Sequence, residues 1–221
     1  MQTLTRAQYL QLTGIPSATL DNRTRWGQAV FAFGDVPVGH GAYTPLDVLL
    51  ARTLDALVPQ LGGRRAAADM MRIQSVNWLE AVERAEWSRP QIECYFEIAI
   101  RRPHWPWQNH PDDFFVEVNA GTLREIGGKL GQEPRGAAGI TRASVNLSRL
   151  LEDVREIGRR LRIDLSAPFT LPPDHPDHDA RQKEIAAQRR AARDRLWAKG
   201  RKPGRLPAQA RAPAGKRLVK A

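Results

Sequence analysis

Apolar positions in the first 87 residues recur at helical spacing, and the period changes at Ser88-Arg89-Pro90, where a proline stops one element and fixes an extended start for the next. Thr5 stands three residues ahead of Gln8, the capping-box spacing, and opens a helix carrying Ala7, Leu10 and Leu12 that ends at Gly14. After the tight connection Ile15-Pro16, Ser17 is the expected cap of a second short helix, which holds Leu20 and closes at Trp26-Gly27. Thr44 as cap, Pro45 at the first helical position and Asp47 near the positive end of the dipole start a third helix. Its Leu46, Leu49, Leu50, Thr53, Leu54 and Leu57 face a core, and Leu61-Gly62-Gly63 leads into a fourth helix over 64–82.

From Ile92 the alternation is strict: Ile92, Cys94, Phe96, Ile98 and Ile100 point one way and Glu93, Tyr95, Glu97 and Ala99 the other, a strand with one wet face. A loop rich in proline and aromatics follows, with His104, Trp105, Trp107 and His110, and then a second strand around Phe114, Val116 and Val118. A short helix is expected over 122–129, a glycine-rich loop over 131–139, and a further strand at 143–147. Ser148 is the expected cap of a helix over 149–162 whose Leu150, Leu151, Val154, Ile157 and Leu161 form one stripe. No internal repeat is found at any period. The fold class is α+β: an N-terminal unit over 1–87, a small α+β domain over 90–165, a Pro-rich linker over 166–178, and a tail over 179–221 that is helical and then disordered.

Composition changes the picture mainly through where the charge lies. Residues 178–221 carry 14 Lys/Arg against 3 Asp/Glu, whereas residues 1–177 carry 20 against 21. The net +10 therefore belongs to the tail, the pattern of an arm for a polyanion, most often nucleic acid. Arg189, Arg190 and Arg193 are its candidate phosphate contacts. Cys94 is the only cysteine, so no disulfide scaffold forms within the chain. No stretch approaches the roughly 20 apolar residues of a membrane span, and Met1 to Arg6 lack the regions of a secretory signal, so no membrane contact and a cytoplasmic location are expected.

Two short helices joined by a three- to four-residue turn containing glycine make the outline of a helix-turn-helix, in which the second helix enters the major groove. The residues it offers are Ser17, Ala18, Thr19, Asp21, Asn22, Arg23 and Arg25. Asn pairs in bidentate fashion with adenine and Arg with guanine or a phosphate, while the Ala18 methyl matches a thymine methyl. Residues 29–41, with His40 near a glycine-rich tip, are expected to form a hairpin wing against the minor groove or backbone. This order, with Tyr43-Thr44-Pro45-Leu46-Asp47-Val48 leading into a leucine-rich helix and then Gly62-Gly63 and another helix, resembles the winged helix-turn-helix of the MerR (mercury-resistance regulator) family over about residues 4–82. The resemblance implies double-stranded DNA as partner, transcriptional regulation and a possible homodimer. Arg25-Trp26 in place of a tyrosine-rich turn, and period 2 in place of a long coiled coil, depart from the family pattern and leave any effector unknown.

Other chemistry is sparse. His175, Asp177 and His178 lie close together in the Pro-rich stretch and read as a polar turn, with Asp177 or Asp179 capping the tail helix, rather than as a zinc site. Glu93, Glu97 and Glu117 could gather for a metal-dependent hydrolase, but a solvated strand face accounts for them. Cys94, on the apolar side of its strand, is a buried inert thiol. No nucleophile elbow, phosphate loop, dinucleotide fingerprint or His-Glu-x-x-His occurs. The expected protein is non-enzymatic and needs no metal or cofactor. The alternatives are a phage- or plasmid-type accessory protein of the excisionase or packaging kind, a metal-dependent enzyme, and a protein-docking module.

Overall fold

The computed structural model describes residues 2–32, 43–89, 91–101, 115–130, 140–172, 175–177 and 180. In chain order these form α1 (Arg6–Thr13), α2 (Ser17–Arg25), α3 (Pro45–Leu57), α4 (Arg64–Trp87), β1 (Tyr95–Arg101), β2 (Phe115–Gly121), α5 (Leu123–Leu130), β3 (Ile140–Asn146) and α6 (Leu147–Arg160). The described residues are thus mixed α+β, six helices with a three-stranded antiparallel sheet of order β2-β1-β3.

Register places Ile98 of the central strand between Val118 and Ala143, and Phe96 between Ala120 and Val145. One sheet face is therefore apolar. It packs against α3, α4 and α6, and the resulting core runs unbroken from Leu4 through Trp78 and Phe96 to Phe169. The expected boundary at residues 87–90 does not interrupt that core, because α4 lies against α3 on one side and against β1 and β2 on the other. Inside it, the Trp78 indole N–H donates to Thr53 Oγ1 at 3.1 Å, and Thr53 in turn donates to Leu49 O at 2.9 Å. The polar groups that helix packing buries here are thereby satisfied.

Several local expectations are corrected. Ser17 is the first helical residue rather than the cap: Pro16, fixed in an extended conformation, occupies that position without a side-chain bond. Asn146 caps α6 by accepting from Arg149 N at 3.0 Å, because sheet pairing ends there, and Ser148 Oγ instead accepts from Cys94 N at 2.9 Å. β1 starts at Tyr95, since a turn from Arg89 to Ile92 holds Ile92 outside the sheet and exposed. The polar side of β1 is not wet at its centre, where Glu97 is only 6% exposed and Ala99 is buried. Flanking strands on both sides shield a central strand, and Asn119 of β2 donates to Glu97 Oε1 at 3.2 Å.

The largest correction concerns the segment taken as a linker. That segment, 166–178, returns to the body at its start, with Phe169 buried beside Ile163 and Leu165 of the preceding domain. The Glu86 carboxylate, its side chain 3% exposed, accepts from Phe169 N at 2.9 Å, from Thr170 N at 2.7 Å and from Thr170 Oγ1 at 2.6 Å, and it pairs with Arg155. Arg155 also lies 5.0 Å over the Phe169 ring. Leu161, expected in the apolar stripe, is exposed because the chain turns at Arg162 and sends Ile163 and Leu165 inward in its place.

That turn requires Gly158. A Cβ there would stand 2.8 Å from Leu165 Cδ1 and 2.9 Å from Ile163 O, and the second of these is backbone. Helix propensity alone favours Gly158→Ala by about 1 kcal/mol. Overpacking costs about 1–3 kcal/mol, so the variant is expected to lose about 1 kcal/mol net in urea unfolding. A more stable variant would show that the 158–165 approach is looser than drawn.

Candidate nucleic-acid interface

The first two helices are set by local chemistry. In α1 a capping box closes as expected, Gln8 N donating to Thr5 Oγ1 at 3.2 Å and Thr5 N to Gln8 Oε1 at 2.9 Å. Gly14, at φ 71°, ends α1 in the left-handed conformation that glycine adopts without strain. Only Gly14, Ile15 and Pro16 then separate α1 from α2. Ile15 and Leu20 bury beneath the turn, and Tyr9 stacks on Tyr43 with ring centroids 4.4 Å apart. The apolar spacing of α1 did not single out Tyr9; its burial depends on Tyr43, far away in sequence.

Three arginines brace this unit. Arg6 donates to Ser17 Oγ at 3.1 Å and to Asp21 Oδ1 at 2.6 Å, clamping the start of α1 to the start of α2, and the Asp21 bond holds the Arg6 guanidinium above its ordinary pKa. Arg52 of α3 donates to Leu12 O at 3.0 Å, where the last turn of α1 presents open carbonyls. Arg72 of α4 donates to Ala29 O at 3.0 Å and to Gly27 O, fixing the chain that leaves α2. Farther on, Ala32 N donates to Asp47 Oδ1 at 2.8 Å, while Leu4 and Tyr43 form a two-way backbone bridge. Both ends of the 33–42 stretch are therefore anchored at the head of α3. Of the expected wing over 29–41, residues 29–32 are described and form no strand, while His40 and the rest lie outside the described residues.

Of the sequence-picked residues, Ala18, Asn22 and Arg25 share one exposed face of α2 at spacings of four and three. Ser17 is exposed but engaged by Arg6, and Thr19 is half-buried. Arg23 turns inward, three residues beyond the buried Leu20, to lie 3.7 Å from Asp55 of α3, which also pairs with Arg64. Burial holds the Arg23 and Arg64 guanidinium groups below their ordinary pKa. Asp55 carries no local signal of this role, since only the packing of α2 against α3 creates it. At the end of α2, Trp26 is 62% exposed beside Arg25.

The other candidates do not converge. Glu93 accepts from Tyr95 Oη at 2.7 Å, Glu97 is bound to Asn119, and Glu117 sits opposite Ala99 on the next strand. His175 Nδ1 accepts from Asp177 N at 3.1 Å within a local turn, and Cys94 is buried. Among the described residues no three His, Cys, Asp or Glu side chains are placed to hold a metal ion, and no helix is long and apolar enough to cross a membrane. The residues His104, Trp105, Trp107, His110, His178 and Asp179, and the tail with Arg189, Arg190 and Arg193, lie outside the described residues. Comparison with protein-family models, curated proteins and solved structures gives no match.

Proposed function

We propose that this chain is a sequence-specific DNA-binding transcriptional regulator with a MerR-like winged helix-turn-helix, α2 entering the major groove and residues 29–41 serving as the wing. The observation that carries the reading is the outward face of α2. Ala18, Asn22 and Arg25 combine the methyl, amide and guanidinium chemistry of base readout on a helix whose start is clamped to α1 by Arg6 and whose exit is fixed by Arg72. The basic tail adds sequence-independent attraction through Arg189, Arg190, Arg193 and their neighbours.

Selection of bound sequences from a random duplex pool tests the reading. An enriched motif is expected, and non-specific retention would favour the phage- or plasmid-type accessory role. With the motif in hand, Asn22→Ala and Arg25→Ala are expected to cost about 1–3 kcal/mol each on the preferred duplex and much less on random DNA. Equal losses on both would move these residues to backbone contacts. One observation favours a different class: an exposed Trp26 next to Arg25 pairs the two residue types most enriched in protein-binding hot spots. No retention of any duplex, together with capture of a protein that Trp26→Ala abolishes, would establish a docking module instead.

A further inference from the structure

The helix-turn-helix region has few cations to spare. Residues 1–89 hold 9 arginines against 8 acidic residues. Arg6 is paired with Asp21, Arg23 and Arg64 with Asp55, Arg72 with Asp69, and Arg84 with Glu125. Arg25, Arg65 and Arg89 are exposed without an ion pair among the described residues, so readout by α2, which needs phosphate contacts beside it to set register, has few of them from the head.

A second cluster of exposed arginines lies at the end of α6, with Glu156 and Asp164 as the acidic residues beside it. Arg159 and Arg160 have side chains 76% and 75% exposed and share a single carboxylate, Glu156, which their charges and hydrogen bonding hold below its ordinary pKa. Arg162 follows, exposed and without an ion pair among the described residues, while Glu152 and Asp153 lie two turns back toward the N-terminal half of the helix. A cationic helix end complements the dipole, but two arginines serve that purpose already. The third is placed at a cost.

Arg162 has φ 58°, the only positive φ outside glycine among the described residues. Ile163 N donates to Gly158 O at 2.9 Å and Arg162 N to Arg159 O at 3.2 Å, the bond pair of a Schellman motif with Arg162 at the position glycine normally takes. The turn that buries Ile163 and Leu165 calls for this conformation, yet glycine and not arginine adopts it without strain. The location fits. α1 packs against α6, Gln2 donates to Asp164 O, and three residues separate Gln2 from Arg6, which is bonded to the head of α2. The end of α6 is thus joined to the readout helix through Gln2 and α1.

We propose that Arg159, Arg160 and Arg162 form a phosphate-contact surface of the body that engages the backbone of duplex DNA flanking the α2 site. The proposal rests on the DNA-binding reading above and adds a second, non-tail source of backbone affinity. Its test measures binding of the full chain to a random-sequence duplex of about 30 base pairs across a salt series, alongside thermal unfolding. Arg162→Gly is expected to raise Tm by about 2 °C, since glycine relieves the left-handed strain. The same variant should flatten the log affinity against log salt slope by about 0.9, and Arg159→Gln with Arg160→Gln and Arg162→Gly together by about 2.7. Arg162→Lys should keep the slope. If the wild type binds duplex and the triple variant keeps its affinity and slope, this surface is not a DNA contact while the α2 reading stands. If the wild type retains no duplex at any salt, both proposals fall.

Discussion

Glu86→Ala is expected to cost about 3 kcal/mol and to lower Tm by roughly 6–12 °C. One carboxylate near the end of α4 satisfies two backbone amides and a hydroxyl of the returning 163–170 segment and balances Arg155. Removing it leaves the Phe169 and Thr170 amides without an acceptor and leaves Arg155 unpaired against the Phe169 ring. Because the Arg155 side chain is a third exposed it can rehydrate, which keeps the estimate at the lower end of the range for broken buried pairs. Urea unfolding gives the magnitude, and hydrogen exchange gives the place: the amides of Phe169 and Thr170 should lose protection first. A loss below about 1 kcal/mol with protection unchanged would mean that Phe169 packing alone holds the segment.

That clamp also marks a limit of what the residues disclose in one dimension. A glutamate in the last turn of a helix and a stretch with four prolines in nine residues read as a wet helix end and a linker, and nothing local joins Glu86 to Thr170, 84 positions away. The one hint was Phe169, a large aromatic between prolines. By contrast, the Thr5–Gln8 box, the Thr44 cap, Gly14 and Pro45 are short-range signals, and each lands where the pattern put it, whereas the box that Asp47 closes with Thr44 shows only in the fold. The site divides in the same way. Helical spacing puts Ala18, Asn22 and Arg25 on one face of α2, but whether an arginine is available depends on pairs such as Arg23 with Asp55 that only packing creates. The α6 arginines stayed hidden because the turn at Arg162 carries no glycine to announce it.

Asp47→Ala should cost as much, about 3 kcal/mol near neutral pH. The buried Asp47 carboxylate accepts from Thr44 N, Thr44 Oγ1 and Ala32 N, each at 2.8 Å, so it completes the cap of α3 and holds the near end of the 33–42 stretch. Truncation orphans two backbone amides, at about 1–3 kcal/mol for each buried one, and loses a cap worth about 1 kcal/mol. The same carboxyl imposes a pH dependence of definite sign. Burial raises its pKa above 3.8, and the bonds from Ala32 and Thr44 only partly offset that rise. A raised folded pKa means that the folded state binds the proton more tightly than the unfolded one. The stability this supplies is fully present below 3.8 and is lost as pH climbs through the raised value. Asp47→Asn, neutral throughout, lacks that dependence, so its deficit against wild type should be larger at pH 4 than at pH 7 when both are unfolded by urea. A deficit that instead grows toward pH 7 would show that the three donors favour the anion more than burial opposes it, with Asp47 then acting as a charged anchor for the base of the proposed wing.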